Sequence, residues 1–161
     1  MHRVSKINYY LDIAQTVSER STCLRRRFGA IIVKNDVIIS TGYNGAPRGR
    51  RNCTDIGGCT RDQMNIPRGE RYEMCRSVHA EANAIIAAAR DQMLGATLYM
   101  CCTSPEGELV AGTCSCMMCK RMVINAGIEK VYVRNTAEEY SVFETADWIE
   151  NDDSLSGKFG Y

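Results

Sequence analysis

Phe28-Gly29-Ala30-Ile31-Ile32-Val33, then Lys34-Asn35-Asp36, then Val37-Ile38-Ile39-Ser40-Thr41-Gly42, makes two short apolar, β-branched runs around a turn. Asn35 and Asp36 supply the turn chemistry, so the stretch predicts a β-hairpin. Upstream, Ile7, Tyr10, Leu11, Ala14 and Val17 recur every three or four residues and give one apolar face of a helix ending near Ser21. Downstream, residues 43–76 lack periodicity and read as one long loop, rich in glycine and charge, of the kind that is functional or held by something. Beyond it the pattern predicts an alanine-rich helix over 79–90 capped by Ser77, a strand over 96–101, a helix over 116–126 closed by Gly127, and a strand over 128–133. Residues 138–150 read as a last helix, with no clear fifth strand. A hairpin followed by strands alternating with helices predicts an α/β fold: a mixed sheet with helices packed on its faces and helix N-termini along one edge.

The bulk properties agree with one domain, and 161 residues can bury roughly two-thirds of the unfolded surface. Residues 1–150 are expected to form it, with 151–161 as a loose polar tail. Twenty basic and 19 acidic residues leave a net charge of +1, without the strong positive field of a dedicated nucleic-acid binder. Neither a signal peptide nor a run of transmembrane length is read, so no membrane partner is expected. Nine cysteines cannot all pair internally, and a reducing cytoplasmic setting, where clustered thiols serve metals or catalysis, is the expectation.

Cys116-Met117-Met118-Cys119 stands at a predicted helix start. Two thiols three residues apart share a helix face, and the positive end of the helix favours their thiolate form. Zinc suits such a pair, but a catalytic zinc takes three protein ligands and keeps one position open. The chain has two histidines; His2 lies at the terminus, which leaves His79, at the start of its own helix and followed by Glu81. Either motif alone has ordinary readings, as a redox pair, a structural zinc knuckle or a surface histidine. Together, in this order, they match the His-x-Glu then Pro-Cys-x-x-Cys signature of zinc nucleobase deaminases, with Ser115 at the proline position. His79, Cys116 and Cys119 are therefore the expected metal ligands, and Glu81 the expected catalytic proton carrier.

The chain as a whole resembles the deoxycytidylate deaminase branch of the cytidine deaminase superfamily. The resemblance rests on Cys23-Leu24-Arg25-Arg26, Gly29-Ala30-Ile31-Ile32-Val33, Thr41-Gly42-Tyr43-Asn44-Gly45-Ala46-Pro47, Gly69-Glu70-Arg71-Tyr72, Cys75 through Ile85, Cys116 through Cys119, and Ile124 through Ile128. It implies a three-layer α/β/α fold on a central mixed five-stranded sheet, and conversion of dCMP to dUMP. It further implies a homohexamer activated by dCTP and inhibited by dTTP with Mg2+. Rival readings are a cytidine, guanine or tRNA-adenosine deaminase, or a zinc-binding domain without catalysis. Asn44, Arg26 and Ala80 are the expected substrate contacts; Arg26 is chosen for the phosphate from Arg25, Arg26, Arg27, Arg48, Arg50 and Arg51, because a guanidinium fork pairs well with phosphate. Residues 48–51 are a candidate site for the triphosphate. Cys23, Cys53, Cys59 and Cys75 would suit a second, structural Zn2+ as readily as they suit buried free thiols. Residues 105–114 read as an insertion at the pocket rim.

Overall fold

The computed structural model describes residues 1–156. Five strands, β1 (Arg27–Lys34), β2 (Val37–Tyr43), β3 (Thr97–Thr103), β4 (Lys130–Arg134) and β5 (Tyr140–Glu144), form one sheet in the order β2-β1-β3-β4-β5. Only β3 and β4 run parallel, a pairing that needs a crossover; the other neighbours are antiparallel. The hairpin turns on Asn35 and Asp36, both at positive φ. A register shift at Ile32/Val33 makes Val33 pair with Ile38 while Ile32 pairs with Ser40, so Ile39 is the extra residue of a bulge.

Alternation along the strands sorts side chains between two cores. Ala30, Ile32, Leu98, Met100, Val131 and Val133 pack under α4 (Ala80–Ile86) and α6 (Met117–Asn125), the crossover helix. Ile31, Val33 and Tyr99 face Tyr10 and Leu11 of α1 (Lys6–Ser18) on the opposite side. These are the three expected layers. Each fully buried Leu, Ile or Val is worth about 1.5–3 kcal/mol, which outweighs local preference where the two conflict. Two glycines set the spacing of the layers. A Cβ on Gly29 would lie 2.0 Å from the Ala14 carbonyl oxygen of α1, and one on Gly42 would lie 2.4 Å from the backbone of both Ala80 and Ala84 in α4.

Several elements differ from the sequence expectation. The helix over 79–90 is two pieces, α4 and α5 (Arg90–Met93), and His79 rather than Ser77 is the N-cap residue. The alanine run could continue helically, but bending the chain there brings Met93 into the core. Residues 138–150 hold β5 and then α7 (Thr145–Glu150), which supplies the fifth strand. The loop over 43–76 contains two helical turns, α2 (Cys53–Ile56) and α3 (Thr60–Gln63), and a 3-10 turn, Tyr72–Met74. The first helix ends at Ser18 rather than near Ser21. Of the expected tail, Asp153–Ser156 forms a 3-10 turn, with Asp153 2.8 Å from Lys120 of α6; residues 157–161 lie outside the described residues. All nine cysteines are free thiols. Among the described residues no helix is long and apolar enough to cross a membrane.

Candidate active site

Helices α4 and α6 begin at the same edge of the sheet, and each presents its N-cap residue there: His79 and Cys116, both in extended backbone. His79 is held in place by a bridge one residue before it, where Val78 and Gly45 exchange backbone hydrogen bonds of 2.8 and 3.2 Å, and by Asn83 Nδ2 donating to the Tyr43 carbonyl. Cys116 Sγ accepts the backbone N–H of Cys119, and the one-turn spacing brings both sulfurs to the same side.

His79 Nδ1 lies 3.5 Å from Cys116 Sγ and 3.4 Å from Cys119 Sγ. A tetrahedral zinc with ordinary bond lengths separates a nitrogen and a sulfur ligand by roughly 3.5 Å. The three side chains therefore already stand at the spacing zinc demands, and among the described residues they are the only such group of His, Cys, Asp or Glu. The electrostatics point the same way. Cys116 is held down at about 4, chiefly by its hydrogen bond with Cys119, against burial and with His79 assisting, while Cys119 resists losing its own proton beside the first thiolate. Burial works against a charged His79, but hydrogen bonds to Cys116 and Cys75 outweigh it and carry the imidazole up to about 10. The Cys116 thiolate thus calls for a positive charge at this point, which a divalent cation supplies with a neutral imidazole, and such a cation favours loss of the second thiol proton as well.

Glu81, in the first turn of α4, is buried beside the ligands, and burial pushes its carboxyl up. Its side chain also reaches Ser115. Ser115 is fully buried, with its hydroxyl 3.6 Å from Met100 Sδ. The residue at the proline position thus places a hydroxyl beside the carboxyl.

A cleft opens over the centre, and among the described residues Glu81 is the one carboxylate lining it. Ala80, Asn44 and Arg26 also line it, as expected. The Asn44 amide is largely committed to the protein: Oδ1 accepts from Ser21 Oγ at 2.5 Å and from the Phe28 N–H, and Nδ2 donates to the Arg26 carbonyl. It stitches residues 21–28 onto the end of β2 and leaves one N–H for a ligand. Of the six arginines weighed from sequence, Arg25 and Arg26 line the cleft; Arg27, Arg48, Arg50 and Arg51 do not. Arg61 and Arg68, which carried no sequence signal, do. Arg26 Nη1 is buried without a hydrogen-bond partner. Cys23, Cys59 and Cys75 line the same cleft, and Cys53, whose thiol burial pushes up, feels the charges of all three. Residues 104–110 fold back as a small turn bridged to β3 through Thr103 and Leu109, leaving Cys114 at the cleft wall.

Residues 4–135 match the family described as the cytidine and deoxycytidylate deaminase zinc-binding region. The chain belongs to that family. Among its relatives is the deoxycytidylate deaminase of Schizosaccharomyces pombe, 33% identical over 129 residues, which are 80% of this chain and 37% of that one. The corresponding protein of Saccharomyces cerevisiae is 34% identical, over 89% of this chain and 43% of the relative. That of Mycobacterium phage D29 is 35% identical, over 81% of this chain and 95% of the relative. The chain thus spans less than half the length of the two yeast proteins and nearly all of the phage protein. The dCMP deaminase of cyanophage S-TIM5, solved in complex with dCMP and dUMP, superposes with a TM-score of 0.56 at 27% identity, covering 96% of this chain and 95% of that one. The family is a zinc-binding one, and the grouped His79, Cys116 and Cys119 are a donor set that suits zinc.

Proposed function

We propose that this chain hydrolyses dCMP to dUMP and ammonia, with zinc as its cofactor. The observation that carries the reading is Glu81: the one carboxyl among the described residues of the cleft, buried beside three side chains at zinc-ligand spacing, with four arginines in the same lining. When bound, zinc activates a water molecule as the nucleophile. Glu81 takes the proton of that water and hands it to ring N3 as the oxygen adds at C4; a second proton through the same carboxyl lets the amino group leave as ammonia. Water supplies the oxygen of dUMP, and no redox change occurs. Burial raises the proton affinity of Glu81, which suits a carboxylate that must first take a proton and then pass it on.

Arg25, Arg26, Arg61 and Arg68 make the cleft cationic, which favours a nucleotide over a nucleoside, and the buried unpartnered Nη1 of Arg26 supports a contact to the 5′-phosphate. Asn44 offers its remaining N–H to the sugar or phosphate, and Ala80 forms the floor beside the ligands. A second, structural Zn2+ at Cys23, Cys53, Cys59 and Cys75 is supported by the charges that the other three thiols exert on Cys53, although the four do not stand at metal-ligand spacing as His79, Cys116 and Cys119 do. A hexamer regulated by dCTP, dTTP and Mg2+ rests on the family resemblance, and residues 48–51, away from the cleft, remain its candidate effector site.

The test is ultraviolet monitoring of dCMP conversion beside metal analysis, with CMP, deoxycytidine and guanine as competing substrates. dCMP is expected to be preferred, at one or two zinc ions per chain. Zinc without turnover of any substrate would replace catalysis by a binding role. Sigmoidal dCMP saturation that dCTP makes hyperbolic, with a hexamer in sedimentation, would support the regulation; hyperbolic kinetics indifferent to both nucleotides would remove it.

A further inference from the structure

Arg61 is only 4% exposed, in a loop that otherwise buries little, and its guanidinium meets backbone carbonyls and an aromatic ring rather than a carboxylate. A guanidinium taken out of water needs compensation. Here Nη2 donates to the carbonyls of Pro67 and Glu70, at 2.7 and 2.8 Å, and the guanidinium carbon sits 4.4 Å from the centre of the Tyr72 ring. The Tyr72 ring is fixed at two further points. Its hydroxyl oxygen accepts the Gly69 N–H, and its ring meets the His79 imidazole edge-on, at 4.9 Å between centroids and 79° between planes. The backbone is bent to bring this about: Gly69 and the non-glycine Arg71, on either side of Glu70, both have positive φ, and a 3-10 turn starts at Tyr72. Strain of this kind persists only where surrounding contacts enforce it.

We propose that Tyr72, clamped by Arg61, is a positioning residue that holds the His79 imidazole in the orientation in which it ligates the metal. The cation occupies the face of the phenol ring, and the ring in turn blocks rotation of the imidazole. Residues that orient a metal ligand without touching the metal commonly change metal affinity by about tenfold or more when removed. This assigns a purpose to the loop between the hairpin and α4: two residues eleven positions apart in it form a wall behind the ligand. The inference rests on the zinc reading above.

Zinc-loaded protein is challenged with a chromogenic chelator, and the cobalt-substituted form is examined by visible absorption; Cys75 stays unaltered, so the second-zinc reading is not disturbed. Tyr72→Phe keeps the ring and should release zinc within about twofold of wild type, whereas Tyr72→Leu and Arg61→Met should release it about tenfold faster. Both should also alter the cobalt ligand-field bands, which a loss of loop stability alone would not do. Where Tyr72→Leu does not fold, Arg61→Lys serves: it keeps a cation over the ring but loses the planar fork, and release should be several-fold faster. Wild-type release and bands in Tyr72→Leu, or in Arg61→Lys where that is the folded variant, overturn the positioning role even if the thermal midpoint drops. Wild-type protein that takes up no zinc would instead overturn the zinc reading.

Discussion

Each group at the centre has a separable job. Glu81→Gln preserves shape but cannot carry a proton, so zinc content should stay at the wild-type level while kcat for dCMP falls by about 10²–10⁴-fold; near wild-type turnover would sink the proposed role. His79→Ala and Cys116→Ala remove one of three protein ligands and should lose the active-site zinc together with activity, as metal analysis will register. Ser115→Ala is a subtler case. It deletes the hydroxyl that lies against Glu81 and should lower kcat roughly fivefold, the equivalent of a hydrogen bond worth about 1 kcal/mol, with KM for dCMP and zinc content unchanged.

At the scale of elements, the two close-packed glycines provide a matched pair of tests on opposite faces of the sheet. Gly42→Ala drives a methyl group into the backbone of α4, and Gly29→Ala into that of α1. Each should cost about 1–3 kcal/mol or more in urea unfolding, but only Gly42→Ala displaces the helix that begins at His79 and carries Glu81, so only it should also weaken zinc binding. The hairpin turn and α1 are joined by Tyr10, whose hydroxyl donates to Asp36, and by the Lys6–Asp36 ion pair. Burial, then the Asp36 bond and charge, push the Tyr10 phenol up to about 12. Its folded-state affinity for the proton is thus raised, so this contribution to stability is complete below roughly pH 10, the unfolded value, and is lost as pH rises through about 12. Burial also pushes the Tyr99 phenol up, so phenolate absorbance should show late-ionising tyrosines, with one fewer in Tyr10→Phe and the Tyr10 ionisation shifted back toward the ordinary range in Asp36→Asn.

For the molecule as a whole, zinc held by the proposed ligands would tie together helices whose N-caps are 37 residues apart in the chain. A metal that binds the folded state and not the unfolded one adds its binding energy to stability. Chelation should therefore lower the thermal midpoint, by roughly 2–4 °C for each kcal/mol lost in a chain of this size. A midpoint insensitive to chelator would contradict the tether. Arg134 makes the equivalent tie on the other face, from the end of β4 to Asp12, Gln15 and Asn8 of α1, and it contains no metal.

The hairpin, the strands over 97–103 and 130–134 and the grouping of His79 with Cys116 and Cys119 were all legible in the sequence, because each depends on local spacing or on residue type. Alternation needs only neighbours, a Cys-x-x-Cys at a helix start puts two sulfurs on one face by geometry, and a chain with two histidines leaves little choice for the third ligand. The fifth strand was less legible, since the five residues Tyr140–Glu144 sit against a helix of six in one stretch, and pairing with β4 decides between the two patterns. The break between α4 and α5 likewise follows from burying Met93, against the preference of an alanine run. What only the tertiary structure decided is the wall of the cleft. Arg61, Arg68 and Tyr72 arrive there because carbonyls at Pro67 and Glu70 and bends at Gly69 and Arg71 fix the loop, and those are relations among distant or aperiodic residues that no period or spacing encodes. Sequence sets which groups can hold a metal; packing two helices on one sheet, at the separation Gly42 allows, brings them within reach of the same ion.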